Sequence, residues 1–167
     1  MRRFLGFAFL IGCCASSLCQ EPTTTYLIVR HAERLTPEAD ALSPQGDARA
    51  QELAHVAAKA NVAAIYHSDK ERTRQTAAPT AAALKLTPVA IPAKDIKALI
   101  DHIEKNHRGQ TVLIVGHSNT VPMIIREAGG PPLPDIDDKE FDNLFVLTRD
   151  GCGEVRLVQL QYGAASP

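Results

Sequence analysis

The stretch Thr111-Val112-Leu113-Ile114-Val115 decides the fold, and it runs directly into Gly116-His117-Ser118-Asn119. An unbroken run of aliphatic residues predicts a strand that is buried on both faces, as strands are in a parallel sheet. A helix is predicted to follow as far as about Ala128 and to stop at Gly129-Gly130-Pro131. The pattern indicates a strand–helix unit whose turn carries polar residues.

Short apolar runs elsewhere predict strands that alternate with helices. The predicted strands cover residues 26–29, 62–66, 88–91, 144–148 and 155–160. The predicted helices cover residues 44–59, 72–84 and 95–107, with Ser43 as the N-cap of the first and Pro79 as a kink or break in the second. Asp150-Gly151-Cys152-Gly153 predicts a hairpin turn between the last two strands.

This alternation predicts an α/β fold with three α/β/α layers, a mostly parallel sheet and a C-terminal edge hairpin. Ligands bind such sheets beyond the carboxyl ends of the strands. Three predicted strands end in polar pairs at that edge, namely Arg30-His31, His67-Ser68 and Gly116-His117. We therefore expect the functional site there, with His67 either lining it or packed beside it.

The composition is that of one globular domain. The chain has 167 residues, 45% hydrophobic and 22% charged, with a formal net charge of -1. Its Lys and Arg residues are scattered, which argues against a nucleic-acid partner. The chain has no Trp, and Phe4, Phe7 and Phe9 lie near the N-terminus, so we expect a core of Ala, Val, Leu and Ile.

Residues 1–19 have the order of a signal peptide. Met1-Arg2-Arg3 precedes an apolar run over residues 4–12 and the small residues Ala15-Ser16-Ser17. The run is too short to span a bilayer core of ~30 Å. Cleavage after Cys19 would leave a periplasmic or secreted domain of residues 20–167. Alternatively, Leu10-Ile11-Gly12-Cys13 resembles a lipobox, which would anchor the protein outside the cytoplasm through a lipid on Cys13.

Arg30, His31, Arg72 and His117 together suit phosphoryl chemistry. Two guanidinium groups can bind the oxygens of a phosphoryl dianion, because they stay charged and donate bidentately. A neutral imidazole is a nucleophile near neutral pH, and a second, protonated imidazole can stabilise charge in the transition state. This set predicts a small phosphorylated substrate.

No metal or other cofactor is predicted. The histidines show no HxxxH, HxH or Cys/His spacing, and neighbouring arginines would repel a cation. The acidic residues of the loop 130–141 have two interpretations, a solvated loop or an oxygen cluster for calcium; they are Asp135, Asp137, Asp138 and Glu140. Nothing in the sequence indicates an oligomeric state.

Four segments resemble the histidine phosphatase superfamily, which has the phosphoglycerate-mutase-like fold. Arg30-His31-Ala32-Glu33 resembles its RHG/RHA signature, and Leu42-Ser43-Pro44-Gln45-Gly46 is similar to its L-[TS]-x-x-G helix start. The segment 68–77 resembles S-x-x-x-R-[AT]-x-Q-T-A, and the segment 112–119 resembles V-x-V-x-G-H in a GHSN form. These motifs occur in family order and suggest a short branch with RHAE and GHSN motifs.

The resemblance implies a role for each matching residue. His31 would become phosphohistidine, Arg30 and Arg72 would hold the phosphoryl oxygens, and His117 would complete the pocket. Ser118 and Asn119 would either cap the next helix or donate to phosphate. For the proton donor, the family position points to Asp95, whose other interpretation is a helix cap. Glu33 is the second choice and is also predicted to contact the substrate, unless it only pairs with an arginine. A good leaving group needs no acid.

The chain also departs from the family pattern. Many members have Ser or Thr three positions after the nucleophile and Asn six positions after it, where this chain has Arg34 and Pro37. Arg34 either adds positive potential or is a solvated loop charge. The lid insertions of mutases are absent, which argues for an open pocket and against phosphoglycerate mutase activity.

Two functions are consistent with these observations. The first is an exported phosphatase of the histidine acid phosphatase type, which hydrolyses phosphomonoesters through a covalent phosphohistidine, with phosphohistidine or phosphoanhydrides as the alternative substrates. The second is a non-catalytic module of the same fold that binds phosphate or sulfate groups.

Overall fold

The computed structural model describes residues 22–166, which form a six-stranded sheet with helices on both faces. The predicted signal segment lies outside the described residues. The strands are β1 Thr24–Arg30, β2 Val62–His67, β3 Val89–Ala90, β4 Thr111–Gly116, β5 Asn143–Arg149 and β6 Val155–Gln161. The helices are α1 Pro44–Ala57, α2 Glu71–Leu84, α3 Ile96–Asn106 and α4 Thr120–Glu127.

The sheet order is β3-β2-β4-β1-β5-β6, with β1 to β4 parallel and β5 and β6 antiparallel to their neighbours. The predicted α/β architecture with a C-terminal edge hairpin is confirmed. In the register of the sheet, Arg30 of β1 pairs with Gly116 of β4, and His67 of β2 pairs with Val115 of β4. The carboxyl ends of β1, β2 and β4 are therefore level, which brings the residues that follow them together.

The two faces of the sheet are covered by different helices. One cluster joins alternate strand residues to α1 and α2 through Leu53, Ala57, Ala77 and Ala81, and the other cluster contains the apolar faces of α3 and α4. The expected core of Ala, Val, Leu and Ile is wrong in part, because Tyr26 and Tyr66 are the largest fully buried side chains. Burial of Tyr26 is tolerated because its hydroxyl donates to the Glu104 carboxylate.

Two local predictions differ from the structure. Pro79 does not divide α2, which continues from Glu71 to Leu84, although a proline removes one internal hydrogen bond. Ala77 and Ala81, two positions before and after it, are buried in the core and hold the opposite side of the helix against the sheet. The strand predicted over residues 88–91 is reduced to Val89–Ala90. Pro88 and Pro92 flank it and have no N–H to donate, which limits the pairing of this edge strand.

The start of α1 requires a glycine at position 46, three residues after the N-cap Ser43. Ser43 caps α1 by accepting a hydrogen bond at Oγ from the Gly46 N–H at 3.1 Å, and its own N–H donates to the Glu33 carbonyl at 2.9 Å. A Cβ at Gly46 would collide with that same Glu33 carbonyl oxygen and with neighbouring backbone atoms. Only glycine allows α1 to begin this close to the loop that follows β1.

Gly46→Ala is therefore expected to destabilise the protein by about 3 kcal/mol, since backbone atoms cannot rotate away from the added methyl group. Urea unfolding measures this loss. Gly153→Ala is the control for the methyl group itself, because nothing lies near a Cβ at that position, although its positive φ adds a smaller strain. If Gly46→Ala unfolds at the wild-type midpoint, the close approach of α1 to Glu33 is incorrect.

Candidate active site

The side chains of Arg30, His31, Arg72 and His117 line one cavity of about 470 Å³ at the carboxyl edge of the sheet. Arg30 ends β1, and the His31 N–H donates to the Gly116 carbonyl at 2.9 Å, so the two histidine turns are tied together. The imidazole centroids lie 5.4 Å apart. The structure therefore brings together in one cavity the two arginines and two histidines that the sequence analysis grouped for phosphoryl chemistry.

The geometry of His31 leaves one ring nitrogen for chemistry. Nδ1 lies 2.8 Å from the Ala32 carbonyl, and a carbonyl only accepts, so Nδ1 carries the proton and the lone pair is on Nε2. The Ala32 N–H donates to Thr76 Oγ1 at 2.9 Å, which fixes this backbone segment. Burial, and next the charges of Arg30 and the other basic groups, lower the pKa of His31 to about 3. At neutral pH the imidazole is therefore uncharged, as a nucleophile requires.

A chain of hydrogen bonds orients His117. Arg72 Nη2 lies 3.3 Å from Nδ1, and a guanidinium only donates, so the proton of the neutral ring is on Nε2. Nε2 donates to Ser68 Oγ at 2.8 Å, Ser68 donates to Thr73 Oγ1 at 2.9 Å, and Thr73 donates to the Lys70 carbonyl at 2.7 Å. Each hydroxyl in the chain thus has a partner that accepts its proton.

The protonation state of His117 differs from the expected one, a protonated imidazole. Burial, and after it the charge of Arg72, lower its pKa to about 4, so the ring in this arrangement is neutral at pH 7. A phosphoryl dianion beside the ring would favour the protonated form. Protonation of Nδ1 would also remove the lone pair that accepts the hydrogen bond from Arg72. That guanidinium N–H could then donate to the anion.

Arg72 is held by a carboxylate that the sequence did not reveal. Its Nη1 donates to Asp40 Oδ1 at 2.6 Å, and Asp40 Oδ2 accepts from the Glu71 N–H at 3.1 Å at the start of α2. Although desolvation acts in the opposite sense, these hydrogen bonds lower the pKa of Asp40. The loop that carries Asp40 thereby sets the direction of the Arg72 side chain.

Arg30 is held by the acidic loop. Its Nη1 donates to the carbonyls of Asp137 at 2.7 Å and Glu140 at 3.0 Å, and its Cζ lies 4.2 Å from the centre of the Phe141 ring. Nη2 is 3.6 Å from the exposed Asp138 carboxylate. The loop therefore positions an arginine, and within residues 22–166 no group of His, Cys, Asp or Glu side chains is arranged to hold a metal ion.

The guanidinium groups keep donors that the protein does not use. Arg30 Nε and Arg72 Nε are both buried without a hydrogen-bond partner among the described residues. A buried N–H without an acceptor is costly, and the cost is higher for a charged group. An oxyanion in the cavity would supply acceptors, so the site is suited chemically to a phosphoryl group.

The predicted proton donors are not brought into the cavity. Asp95 does not line it, although its neighbours Lys94 and Ile96 do. Its side chain makes no cap bond, and only its carbonyl accepts from the Leu99 N–H in α3. The Asp95 assignment stays a prediction without a contact to support it.

Glu33 forms a buried ion pair with Arg49. Arg49 Nη2 donates to Oε1 at 2.7 Å, and Nε lies 3.0 Å from both carboxylate oxygens. Although burial alone lowers the pKa of Arg49, the hydrogen bonds and charge of Glu33 raise it. Glu33 does not line the histidine cavity, so the alternative that it pairs with an arginine matches the structure, and the predicted substrate contact does not.

Ser118 and Asn119 both line the cavity at the start of α4. Asn119 makes no side-chain cap bond, and Thr120 Oγ1 instead accepts from the His117 N–H at 2.8 Å. The capping interpretation therefore does not hold for Asn119. His67 lies outside the histidine cavity, with Nδ1 bonded to the Ser68 carbonyl at 2.6 Å.

Sequence reasoning placed Ser68 at the edge of the sheet but gave it no role, and it missed two other supporting residues. Phe141 and Asp40 lie in loops without a pattern. Phe141 contacts both Arg30 and His31, with its ring centroid 6.1 Å from that of His31. A residue that orients a guanidinium from a distant loop leaves no local signal in the sequence.

Acidification is expected to destabilise the protein through the two buried histidines. Their pKa values are lower in the folded chain than the usual value near 6.5, so the unfolded chain binds more protons below that pH. The free energy of unfolding should fall by about 2 kcal/mol per histidine between about pH 7 and pH 5. Urea unfolding across this range measures the slope.

His31→Asn should flatten this pH dependence, because asparagine does not titrate. His55→Asn is the matched control, since His55 is exposed on α1. Equal slopes for wild type and His31→Asn would show that His31 is not buried in its neutral form.

Comparison with known proteins gives one family match, over part of the chain. Residues 26–95 match the family model of the histidine phosphatase superfamily (branch 1). No curated protein matches the chain significantly in sequence. Within residues 22–166, no helix is long and apolar enough to cross a membrane.

Solved structures share the fold at low identity. The protein histidine phosphatase SixA complexed with tungstate is 20% identical, with a TM-score of 0.64 over 82% of this chain and 96% of that chain. Mycobacterial hydrolase 1 is 15% identical, with a TM-score of 0.65 over 86% and 100%. Phosphoglycerate mutase from Plasmodium falciparum is 18% identical, with a TM-score of 0.56 over 87% and 94%. The family match over residues 26–95 and the shared fold agree with the resemblance of the sequence motifs to the histidine phosphatase superfamily.

Proposed function

We propose that this protein is a phosphatase of the histidine acid phosphatase type, which hydrolyses small phosphomonoesters through phosphohistidine at His31. The observation that carries the proposal is the single cavity lined by two arginines and two buried neutral imidazoles. The unused Nε donors of Arg30 and Arg72 further support an oxyanion as the ligand.

In the first step Nε2 of His31 attacks phosphorus. The P–N bond forms as the bond from phosphorus to the ester oxygen breaks, and the alcohol leaves with a proton from water or from an acid. The imidazole becomes positively charged, and its Nδ1–H bond to the Ala32 carbonyl stabilises that charge. Arg30, Arg72 and a protonated His117 would bind the equatorial oxygens, where charge accumulates.

In the second step water attacks phosphorus and the P–N bond breaks. Inorganic phosphate is released, and Nε2 regains its lone pair. A proton of the attacking water is lost to solvent or to a nearby base. The reaction needs no cofactor in this scheme, because the only covalent partner is the imidazole.

Phosphoenzyme trapping tests the proposal. Protein incubated with an aryl phosphate labelled on phosphorus should release phosphate and, when quenched, carry label that is stable in base and labile in acid. Phosphoserine has the opposite stability and would indicate another nucleophile. Absence of both turnover and label would contradict the phosphatase assignment.

The second candidate is a module that binds phosphate or sulfate groups without turnover. It is favoured by one observation, that neither Asp95 nor Glu33 lines the cavity as a proton donor. Binding of inorganic phosphate or sulfate together with no turnover of an activated aryl ester would support the module. Turnover of an activated ester but not of an alkyl phosphate would instead show a phosphatase without a general acid.

Export is also part of the proposal, and the order of residues 1–19 supports it. The full chain expressed in a bacterial host should yield a periplasmic product that begins near Gln20. If Cys13 is the anchor, the product is in the membrane fraction and Cys13→Ser releases it. A cytoplasmic product of full length would contradict both routes.

A further inference from the structure

The cavity wall has more positive charge than a single phosphoryl group requires. Its basic lining residues outnumber the acidic ones; they are Arg30, Arg34, Lys70, Arg72 and Lys94 against Asp138. Asp40 and Asp138 partly balance Arg72 and Arg30. A phosphoryl dianion would balance the charge of two cations, so the remaining charge points to a substrate with more than one anionic group.

Arg34 is the basic residue placed between two cavities. It lines the histidine cavity and also a second cavity of about 510 Å³, whose other lining residues include Leu35 and Phe141. Two carboxylates, those of Glu33 and Asp138, also line the second cavity, and each is paired with another arginine. The two cavities share Arg34 and Asp138. A leaving group that extends from a phosphoryl group at His31 therefore has an adjoining space, with a guanidinium at its entrance.

The backbone around Arg34 is fixed before any ligand binds. Arg34 forms an isolated β-bridge with Leu42, and the Leu42 N–H donates to Gln75 Oε1 at 2.8 Å on α2. The Arg34 side chain is half-buried, and its Nη1 donates to the Pro37 carbonyl. Ordering this side chain on binding therefore costs little conformational entropy.

Arg34 also lacks an acidic partner among residues 22–166. The nearby Glu33 carboxylate is engaged by Arg49, and the Asp138 carboxylate forms its ion pair with Arg30. Burial is the main cause that lowers the pKa of Arg30. The charge of Asp138 acts in the opposite sense, and the positive charge of Arg34 adds to the lowering. The positive charge of Arg34 thus acts on the phosphoryl-binding arginine and is not neutralised by an ion pair.

We propose that Arg34 binds a second anionic group, a phosphate or carboxylate, on the leaving group of the substrate. The preferred substrates would then be phosphomonoesters whose alcohol portion is itself an anion and lies in the adjoining cavity. This inference rests on the proposed function for its reaction, but Arg34 is a specificity-determining residue whose effect is measurable by binding alone.

The test compares two series of phosphonates that the protein cannot hydrolyse at a phosphoester bond. The first has one phosphonate on an ethane, propane or butane chain, and the second has a phosphonate at each end of the same chains. Calorimetry at a fixed, near-physiological ionic strength gives both dissociation constants. We expect the best bisphosphonate to bind about tenfold more tightly than its monophosphonate, the size of effect expected for one charge-assisted contact.

Arg34→Gln should reduce this preference to about twofold and change the monophosphonate affinity less than about threefold. Arg34→Lys should retain part of the preference, because the charge remains and the planar fork does not. Arg156→Gln removes an exposed cation on β6 and should leave the preference unchanged. No preference in the wild type, or equal losses for both ligand series in Arg34→Gln, would overturn the proposal.

Turnover separates this proposal from the phosphatase assignment. If alkyl bisphosphates and aryl phosphates are not hydrolysed but the Arg34-dependent preference is present, the phosphatase assignment fails and the second anion site stands. If an aryl phosphate is hydrolysed but the preference does not depend on Arg34, the phosphatase stands and the second site fails.

Discussion

Replacing His31 by Ala is expected to lower kcat/KM for an aryl phosphate by about ten-thousandfold or more, because alanine cannot form the P–N bond of the proposed intermediate. The lone pair of Nε2 is aimed by the Nδ1 bond to the Ala32 carbonyl, and its low pKa keeps it uncharged. Alanine leaves the arginines in place, so inorganic phosphate should still bind. Measured rates of phosphate release and the loss of acid-labile label check the two parts of this prediction.

The control for His31→Ala is His55→Ala, which removes an exposed histidine on α1 and should leave turnover unchanged. Circular dichroism and urea unfolding establish that both variants are folded. A His31→Ala protein that keeps the wild-type rate would show that the nucleophile lies elsewhere, and the covalent mechanism would then be wrong.

Arg72→Ala should have the second-largest effect, a loss of about 3 kcal/mol of transition-state stabilisation, or roughly a hundredfold in kcat/KM. The variant loses a charged donor to the phosphoryl oxygens and also the partner of His117 Nδ1. It leaves the Asp40 carboxylate unpaired near the cavity, where it repels the substrate. Arg72→Lys should recover only part of the loss, because an ammonium cannot replace the planar fork.

Arg74→Ala is a matched control on the same helix. Arg74 is exposed and pairs with Glu71, so its removal should change kcat/KM less than about twofold. Asp40→Asn separates the charge of Arg72 from its orientation, because asparagine keeps the shape of the Asp40 side chain but holds the Arg72 guanidinium less firmly. Similar losses for Arg72→Ala and Arg74→Ala would indicate a general charge effect and would contradict the proposed contact.

The order of the elements was predictable because it depends on local patterns. The run from Thr111 to Val115 can be buried on both faces only in a covered sheet, and Ser43-Pro44 marks a helix start by its own chemistry. Polar residues directly after three such strands located the edge of the sheet where the cavity lies. These signals involve neighbours in sequence, so the sequence alone contains them.

What only the tertiary structure decided is how the charged groups are paired across the fold. Glu33 pairs with Arg49, Asp40 with Arg72, and the acidic loop holds Arg30 through its carbonyls. Asp95 ended outside the cavity, because direction and burial are set by packing between distant segments. The residues of the strands, the turns and the candidate histidines follow from the sequence, whereas protonation and the partner of each charge depend on contacts that form only when the chain folds.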